Sequence, residues 1–216
     1  LETLHTASFE TGCVLNVTPD HLDRYDSMDD YAKTKIHLGS LSKAFYVFDQ
    51  VAQNFGHLLS GHTKVFTLNE TLSQLDLSGF IQHDKINILS AYYLLEPFKI
   101  PLDTFSRAIR SFKKPDHRFQ TVNVVSGIEF INDSKATNVD AVIQALKSCS
   151  KKTILLAGGV DKGYPYKEWT EHLQNVKQVI CFGSSKERIK QDLQDKIDCV
   201  IAEDMNQAIE LAYSQA

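Results

Sequence analysis

The chain has 216 residues, 43% of them hydrophobic, and a formal net charge of −4 at pH 7. This length and apolar content allow one large domain or two smaller ones. The basic residues are dispersed, which excludes an obvious nucleic-acid surface. No apolar run approaches the roughly 18 residues of a membrane span, and no segment resembles a signal peptide.

The four cysteines, Cys13, Cys149, Cys181 and Cys199, show no CxxC spacing, and three fall in or beside apolar segments. We expect buried, reduced thiols, which suit a cytoplasmic protein. The chain begins at Leu1 without a methionine, and we interpret it as a piece of a longer protein.

Strands and helices are predicted to alternate in the first half. Apolar periodicity predicts strands at residues 13–17, 45–48 and 64–68, and helices at residues 28–38, 50–59, 85–96 and 102–112. Ser27 with Asp30 resembles a capping box, and Pro101 suits the first turn of a helix. The charged segment 112–116, which contains Pro115, predicts a linker between two domains, residues 1–113 and 114–216.

The second half opens on a predicted hairpin, in which residues 119–125 and 128–132 flank Ser126-Gly127. Strands follow at residues 153–157, 178–182 and 199–202, and helices at residues 139–149, 166–173, 185–193 and 205–212. This alternation predicts an α/β fold, with a mostly parallel sheet and helices on both faces.

The heptapeptide Asn132-Asp133-Ser134-Lys135-Ala136-Thr137-Asn138 gathers acidic, basic and hydroxyl side chains between a predicted strand and a predicted helix. In open α/β sheets, ligands bind in the crevice beside such loops, and the start of a helix favours anions. Asn138 is expected to cap the helix. A capped turn with surface charges is the alternative interpretation of these seven residues alone.

Two further polar clusters accompany the heptapeptide. Gly158-Gly159-Val160-Asp161-Lys162-Gly163 follows an apolar strand; its glycines permit a sharp turn, and Lys162 supplies a cation for a carboxylate or phosphate. His117-Arg118-Phe119 follows the break at Pro115. Each cluster alone is weak evidence, but three clusters at strand or domain edges indicate a ligand site.

The first half carries two more polar segments. Asn16-Val17-Thr18-Pro19-Asp20-His21-Leu22-Asp23-Arg24-Tyr25 leads from a strand to a helix with Lys33 and Lys35. His21 and Asp20 suit a metal such as magnesium, and a plain polar loop is the alternative. The segment Gln82-His83-Asp84-Lys85-Ile86-Asn87 opens a helix, where its amides and imidazole either contact a purine or ribose or cap the helix.

Together these segments are similar to the Mur ligase family, and within it to the branch that adds D-glutamate to a peptidoglycan precursor. The similarity runs in order through residues 16–25, 117–119, 132–138 and 158–163. It implies part of a central P-loop-type ATPase domain at residues 1–113. It also implies a Rossmann-like C-terminal domain at residues 114–216, truncated at its end.

The resemblance implies an ATP-dependent ligase that joins D-glutamate to UDP-N-acetylmuramoyl-L-alanine through an acyl phosphate. Arg118 and Lys135 match positions that bind phosphate or stabilise its transition-state charge. Asp133 matches a carboxylate that orients the ribose or nucleotide. Asn87 and His117 match positions near the adenine and ribose.

The same resemblance implies roles for four more residues. Thr137 and Lys162 match contacts to D-glutamate, and His21 matches a ligand of Mg²⁺, with room for a second divalent ion. Lys35 matches a lysine that the family carbamylates, which turns a cation into a carboxylate-like magnesium ligand. Asp84 departs from the family, which more often has asparagine there.

Some family features are absent from the sequence. No glycine is followed by lysine, so the phosphate-binding loop GxxGK[ST] is missing. The acidic magnesium ligand expected before Leu1 and the Ser-Pro segment expected after Ala216 are missing too. We therefore expect a monomeric fragment without the N-terminal UDP-binding domain and without ligase activity of its own.

Two other functions compete with this expectation. A ligase for another amino acid, or a folylpolyglutamate synthase, would share the ATP chemistry; residues 134–137 and the short 158–163 loop favour D-glutamate instead. A non-catalytic nucleotide- or partner-binding module would keep the fold without the phosphate loop. Finding that loop upstream of Leu1 would exclude such a module.

Overall fold

The computed structural model describes residues 1–19, 24–68 and 75–216. These residues form two compact units, Leu1–Lys113 and Lys114–Ala216. Within the described ranges, none of the helices combines the length and apolar character needed to span a bilayer. Each unit contains a three-stranded parallel sheet with helices, as the alternating pattern predicts.

The first unit contains a parallel sheet in which β1 (Phe9–Val14), β2 (Ser42–Phe48) and β3 (Thr63–Phe66) lie in that order. Its described α-helices are α1 (Met28–Ile36), α2 (Asp49–Phe55), α3 (Gln82–Leu94) and α4 (Leu102–Ser111). Strand β1 begins four residues before the predicted strand because Phe9, Glu10 and Thr11 lie on an edge strand and are not buried. No apolar pattern marks such residues.

Strand β2 is central, and its two faces pack against different helices. Phe45 and Val47 belong to one cluster with Val51 of α2, whereas Tyr46 packs on the opposite face with Leu89 of α3. Successive side chains of a strand point to opposite faces. A continuous apolar run is therefore what a strand covered on both sides requires.

The starts of α1 and α4 show how the sequence sets helix boundaries. Ser27 Oγ accepts the N–H of Asp30 at 3.1 Å, which confirms the predicted cap of α1. Pro101 precedes α4 as its N-cap residue, one position before the predicted first turn. Its carbonyl accepts the N–H groups of Thr104 and Phe105 at 2.9 and 3.1 Å.

The second unit starts with an antiparallel hairpin of β4 (Gln120–Val125) and β5 (Ile128–Asn132). Ser126 and Gly127 have φ angles of 52° and 83°, as a two-residue turn between twisted strands requires. The predicted hairpin is therefore confirmed. A bulge near Thr121 and Asn123 shifts the register between the two strands.

A parallel sheet follows, with β6 (Thr153–Gly159), β7 (Val176–Gly183) and β8 (Cys199–Ile201) in that order. The α-helices of this unit are α5 (Val139–Ser148), α6 (Lys186–Leu193) and α7 (Met205–Gln215). The α-helix predicted at residues 166–173 is a 3₁₀ helix, Tyr166–His172. Tyr166 and Trp169 are both buried, and residues three apart share one face of a 3₁₀ helix.

Helices cover both faces of this second sheet. Val179 and Cys181 pack with residues of α5, α6 and the 3₁₀ helix, whereas Ile180 packs with Ala208 of α7. All four cysteines are free thiols; Cys181 and Cys199 are buried, and Cys13 and Cys149 are half-buried. Burial raises the pKa of both Cys13 and Cys181 to about 12, so these two thiols stay protonated.

Candidate functional site

The heptapeptide, residues 132–138, is shaped by its own hydrogen bonds. Asn132 Oδ1 accepts the N–H of Ser134 at 3.0 Å, and the Asp133 carbonyl accepts that of Ala136 at 2.8 Å. Asn138 Oδ1 accepts the N–H of Ala141 at 2.8 Å, which confirms Asn138 as the cap of α5. The loop is therefore a folded turn that ends at the start of a helix.

The segment His117-Arg118-Phe119 is bonded directly to the heptapeptide. The Phe119 N–H donates to Asp133 Oδ1 at 2.9 Å, and the Lys135 N–H donates to the His117 carbonyl at 3.2 Å. The structure thus brings together four predicted site residues, His117, Arg118, Asp133 and Lys135, that stand up to 18 positions apart in the chain.

The backbone of this segment is strained. His117 and Phe119 have φ angles of 66° and 45°, in the left-handed region that non-glycine residues rarely adopt. Each such residue costs on the order of 1–3 kcal/mol, and such strain clusters at ligand sites. The His117 N–H donates to Gln120 Oε1 at 2.9 Å, and Gln120 Nε2 donates to Asp116 Oδ1 at 2.8 Å. Gln120 is a supporting residue that the sequence analysis missed.

Asp133 and His117 lie within hydrogen-bond distance of neighbouring residues, whereas the side chains of Arg118 and Lys135 face solvent. Asn132 Nδ2 lies 3.0 Å from His117 Nδ1, within hydrogen-bond reach. Arg118 and Lys135 are both exposed, and within the described ranges neither cation pairs with a carboxylate. The site therefore presents two positive charges beside the hydrogen-bonded Asp133, an arrangement suited to an anionic ligand.

Residues 158–163, here called the glycine loop, leave the carboxyl end of β6. A Cβ atom on Gly158 would lie 2.4 Å from the Phe182 carbonyl oxygen on the adjacent strand. Gly159 and Gly163 have φ angles of 117° and 76°. The predicted sharp turn is confirmed, and the backbone at Gly158 lies close against β7. Lys162 is exposed, with its Nζ 5.9 Å from the Tyr164 ring centroid.

We expect Gly158→Ala to lower the free energy of unfolding by about 1–3 kcal/mol, because an added methyl would overlap the backbone of β7. Chemical denaturation measures the change. Val160→Ala is a matched control in the same loop, because Val160 is 79% exposed, and we expect less than about 0.5 kcal/mol there. Equal stabilities for the two variants would contradict the packing role of Gly158.

The carboxyl ends of parallel strands meet at one edge of the sheet, so the residues that follow β7 lie beside the glycine loop. These residues were not predicted as part of the site, although the same rule applies to them. Ser184 and Ser185 follow β7 directly, and both hydroxyls donate to the Gly159 carbonyl, at 3.1 and 3.2 Å. Arg188, in the first turns of α6, donates through Nη2 to the Gly163 carbonyl at 3.1 Å. These three residues hold the glycine loop.

In the first unit, α1 places Lys35 close to Asn16, which lies just after β1. Lys35 is half-buried, its Nζ donates to the Asn16 carbonyl at 3.2 Å, and it lies 4.6 Å from the Tyr31 ring centroid. His21 and Asp20 lie outside the described residues. Within residues 1–19, 24–68 and 75–216, no group of three or more His, Cys, Asp or Glu side chains could hold a metal ion.

The two remaining predicted site residues are both exposed. Asn87 lies on α3, where its carbonyl accepts the Ser90 hydroxyl at 2.7 Å. Thr137 directly precedes Asn138, the cap of α5.

Two family models match the chain. The Mur ligase middle domain matches residues 1–90, and the Mur ligase glutamate ligase domain matches residues 117–216. The chain is 35% identical over 240 residues to the UDP-N-acetylmuramoylalanine–D-glutamate ligase of Protochlamydia amoebophila, covering 100% of the chain and 54% of that relative. The ligase of the same name from Francisella philomiragia is 35% identical, with the same coverage.

Solved structures support the fold. The UDP-N-acetylmuramate–alanine ligase MurC of Thermotoga maritima superposes with a TM-score of 0.63 at 16% identity, over 90% of this chain and 51% of that one. A pseudomurein peptide ligase type C from Methanothermus fervidus gives 0.67 at 13% identity, over 96% and 58%. The chain spans about half the length of the curated relatives that it matches. With both of its units matched by models of one family, the chain belongs to the Mur ligases.

Proposed function

We propose that this protein acts in the ATP-dependent addition of D-glutamate to UDP-N-acetylmuramoyl-L-alanine, a step of peptidoglycan synthesis. The observation that carries this proposal is the bonding of residues 117–119 to the heptapeptide, because it sets Arg118 and Lys135 beside Asp133. The D-glutamate ligases that are 35% identical to the chain support the choice of substrate. We place the reaction in the cytoplasm and expect a monomer.

The proposed reaction has two steps. A carboxylate oxygen of the UDP-linked substrate attacks the γ-phosphorus of ATP, which forms an acyl phosphate and releases ADP. The neutral amine of D-glutamate then attacks the carbonyl carbon, and phosphate leaves from the tetrahedral intermediate after the amine has lost a proton. Arg118 and Lys135 would stabilise the negative charge of the transferring phosphoryl group. Asp133 and His117 would orient the nucleotide, and Asn87 of the first unit is a separate candidate for a nucleotide contact.

The amino-acid substrate would be bound by Thr137 and Lys162. Thr137 lies just before the capped start of α5, where the helix dipole favours a carboxylate. Lys162 presents an exposed ammonium on the hydrogen-bonded glycine loop. A hydroxyl and a cation together suit an acidic amino acid.

A Mg²⁺ ion in the first unit is part of the proposal. In nucleotide sites this ion takes one or two protein ligands besides phosphate oxygens and waters, so a group of three side chains is not needed. Lys35 is half-buried beside the Asn16 carbonyl, and a carbamate on Lys35 would provide an anionic oxygen there. His21 and carbamylated Lys35 would hold the ion, which would neutralise phosphate charge when bound.

NMR titration of this chain tests the proposed binding sites. We expect ATP to shift the amide signals of residues 117–119 and 132–135, and D-glutamate to shift those of Thr137 and Lys162. Without the GxxGK[ST] loop in this sequence, ATP affinity should be about millimolar, which corresponds to about −4 kcal/mol. Shifts confined to other residues, or micromolar ATP affinity in calorimetry, would contradict this assignment. L-glutamate serves as the control ligand.

A further inference from the structure

The Arg188 side chain forms a ring of contacts with Asp161 and Gly163, the two neighbours of Lys162 in the chain. Its Nη2 donates to the Gly163 carbonyl at 3.1 Å, and its Nη1 lies 3.6 Å from Asp161 Oδ2. Asp161 Oδ1 in turn accepts the N–H of Gly163 at 2.9 Å. The guanidinium therefore contacts the residues on both sides of Lys162, and the three-residue segment 161–163 has a defined shape.

The other end of the glycine loop is also fastened to the segment after β7. The Gly159 carbonyl accepts the Ser185 N–H at 3.1 Å as well as the hydroxyls of Ser184 and Ser185. The Asp161 N–H donates to Ser184 Oγ at 3.3 Å. With the backbone held at both ends, the direction in which Lys162 leaves the loop is set by Ser184 and Ser185, which follow β7, and by Arg188 of α6.

The positive charge of Arg188 has a second effect, on Asp161. Asp161 is adjacent to Lys162, and an unpaired carboxylate at that position would attract the Lys162 ammonium and repel an acidic substrate. The Arg188 and Asp161 side chains are 41% and 32% exposed, so their attraction is only partly screened by water. Pairing with Arg188 neutralises Asp161 and leaves Lys162 available for a carboxylate from solution.

We propose that Arg188 is a positioning residue that aims Lys162 at a carboxylate of the amino-acid substrate, by shaping residues 161–163 and neutralising Asp161. This inference rests on the proposed function, in which Lys162 binds D-glutamate. It adds to that function a residue that does not itself touch the substrate.

The test compares Arg188→Ala with Arg188→Lys and with Lys190→Ala, which removes the same charge from the same helix. In this chain, we expect Arg188→Ala to speed hydrogen exchange at the Gly163 amide about tenfold, because that amide loses the support of the ring. In the complete polypeptide that carries this chain, we expect the KM for D-glutamate to rise about five- to tenfold while kcat changes less than about twofold.

Arg188→Lys should give a KM for D-glutamate between that of the unmodified protein and that of Arg188→Ala. An ammonium pairs with Asp161 but cannot form the two-pronged contact of the guanidinium. Lys190→Ala should behave as the unmodified protein. Unchanged Gly163 exchange together with an unchanged KM in Arg188→Ala would overturn the inference. If the unmodified protein does not accept D-glutamate, the proposed function fails, while Gly163 exchange still tests the ring. Should Arg188→Ala not fold, Arg188→Gln, which keeps most of the side chain, gives the same comparison.

Discussion

Replacing Lys35 by alanine in the complete polypeptide should abolish ligation, with a loss of more than about 100-fold in turnover. Even residues that only support a metal ligand are worth about 10–100-fold, and a carbamylated Lys35 would be a ligand itself. Lys35 is half-buried on α1, with its Nζ directed at the Asn16 carbonyl, and the family resemblance assigns the carbamylated lysine to this position.

Chemical rescue makes this prediction specific. Acetate or formate should restore part of the turnover of Lys35→Ala, because a small carboxylate can occupy the space that the carbamate leaves. Lys33→Ala is the matched control: Lys33 lies on the same helix, but its side chain is 58% exposed and pairs with Asp30. Normal turnover in Lys35→Ala, or equal loss in both variants, would contradict a specific role of Lys35 in ligation.

Local patterns in the sequence are sufficient to predict the fold class and the heptapeptide. Alternating apolar residues predict β5, and Asn138 predicts the start of α5, so the position of the loop between them follows. These features depend on neighbours within four or five positions. The parallel pairing and the helices on both faces follow from the same alternation, because parallel strands need crossovers.

The internal geometry of the site could not be predicted in this way. His117 and Phe119 are left-handed, and in this conformation their N–H groups donate to Gln120 and to Asp133, respectively. Asp133 stands 14 residues from Phe119, and the pairing of β4 with β5 holds the two segments side by side. Nothing in the local sequence favours φ > 0 at a phenylalanine.

Contacts between neighbouring strand ends were missed for a related reason. Arg188 reaches Gly163 across 25 positions, and this depends on the register in which Gly159 of β6 stands beside Gly183 of β7. Periodicity shows that both strands exist but does not set their register. The Arg188–Gly163 contact therefore requires the structure.

Replacing Lys135 by alanine is the second change with a large expected effect. In the complete polypeptide we expect kcat to fall about 10²–10³-fold, the loss typical when one group that stabilises transition-state charge is removed. The heptapeptide should keep its shape, because Lys135 contacts His117 through its backbone N–H rather than its side chain. Lys135→Arg should retain more activity than Lys135→Ala, because it keeps the positive charge.

Lys151→Ala is the control for this experiment, because Lys151 is also a cation of the second unit but pairs with Glu129, and its side chain is 79% exposed. We expect normal kcat there. A normal kcat in Lys135→Ala would refute the phosphate role of Lys135.

The double variant of Arg118→Ala and Lys135→Ala should lose less activity than the product of the two single losses. Both cations act on one developing charge, and the effects of groups that act as a unit are not additive. Fully multiplicative losses would instead place the two cations at separate anions.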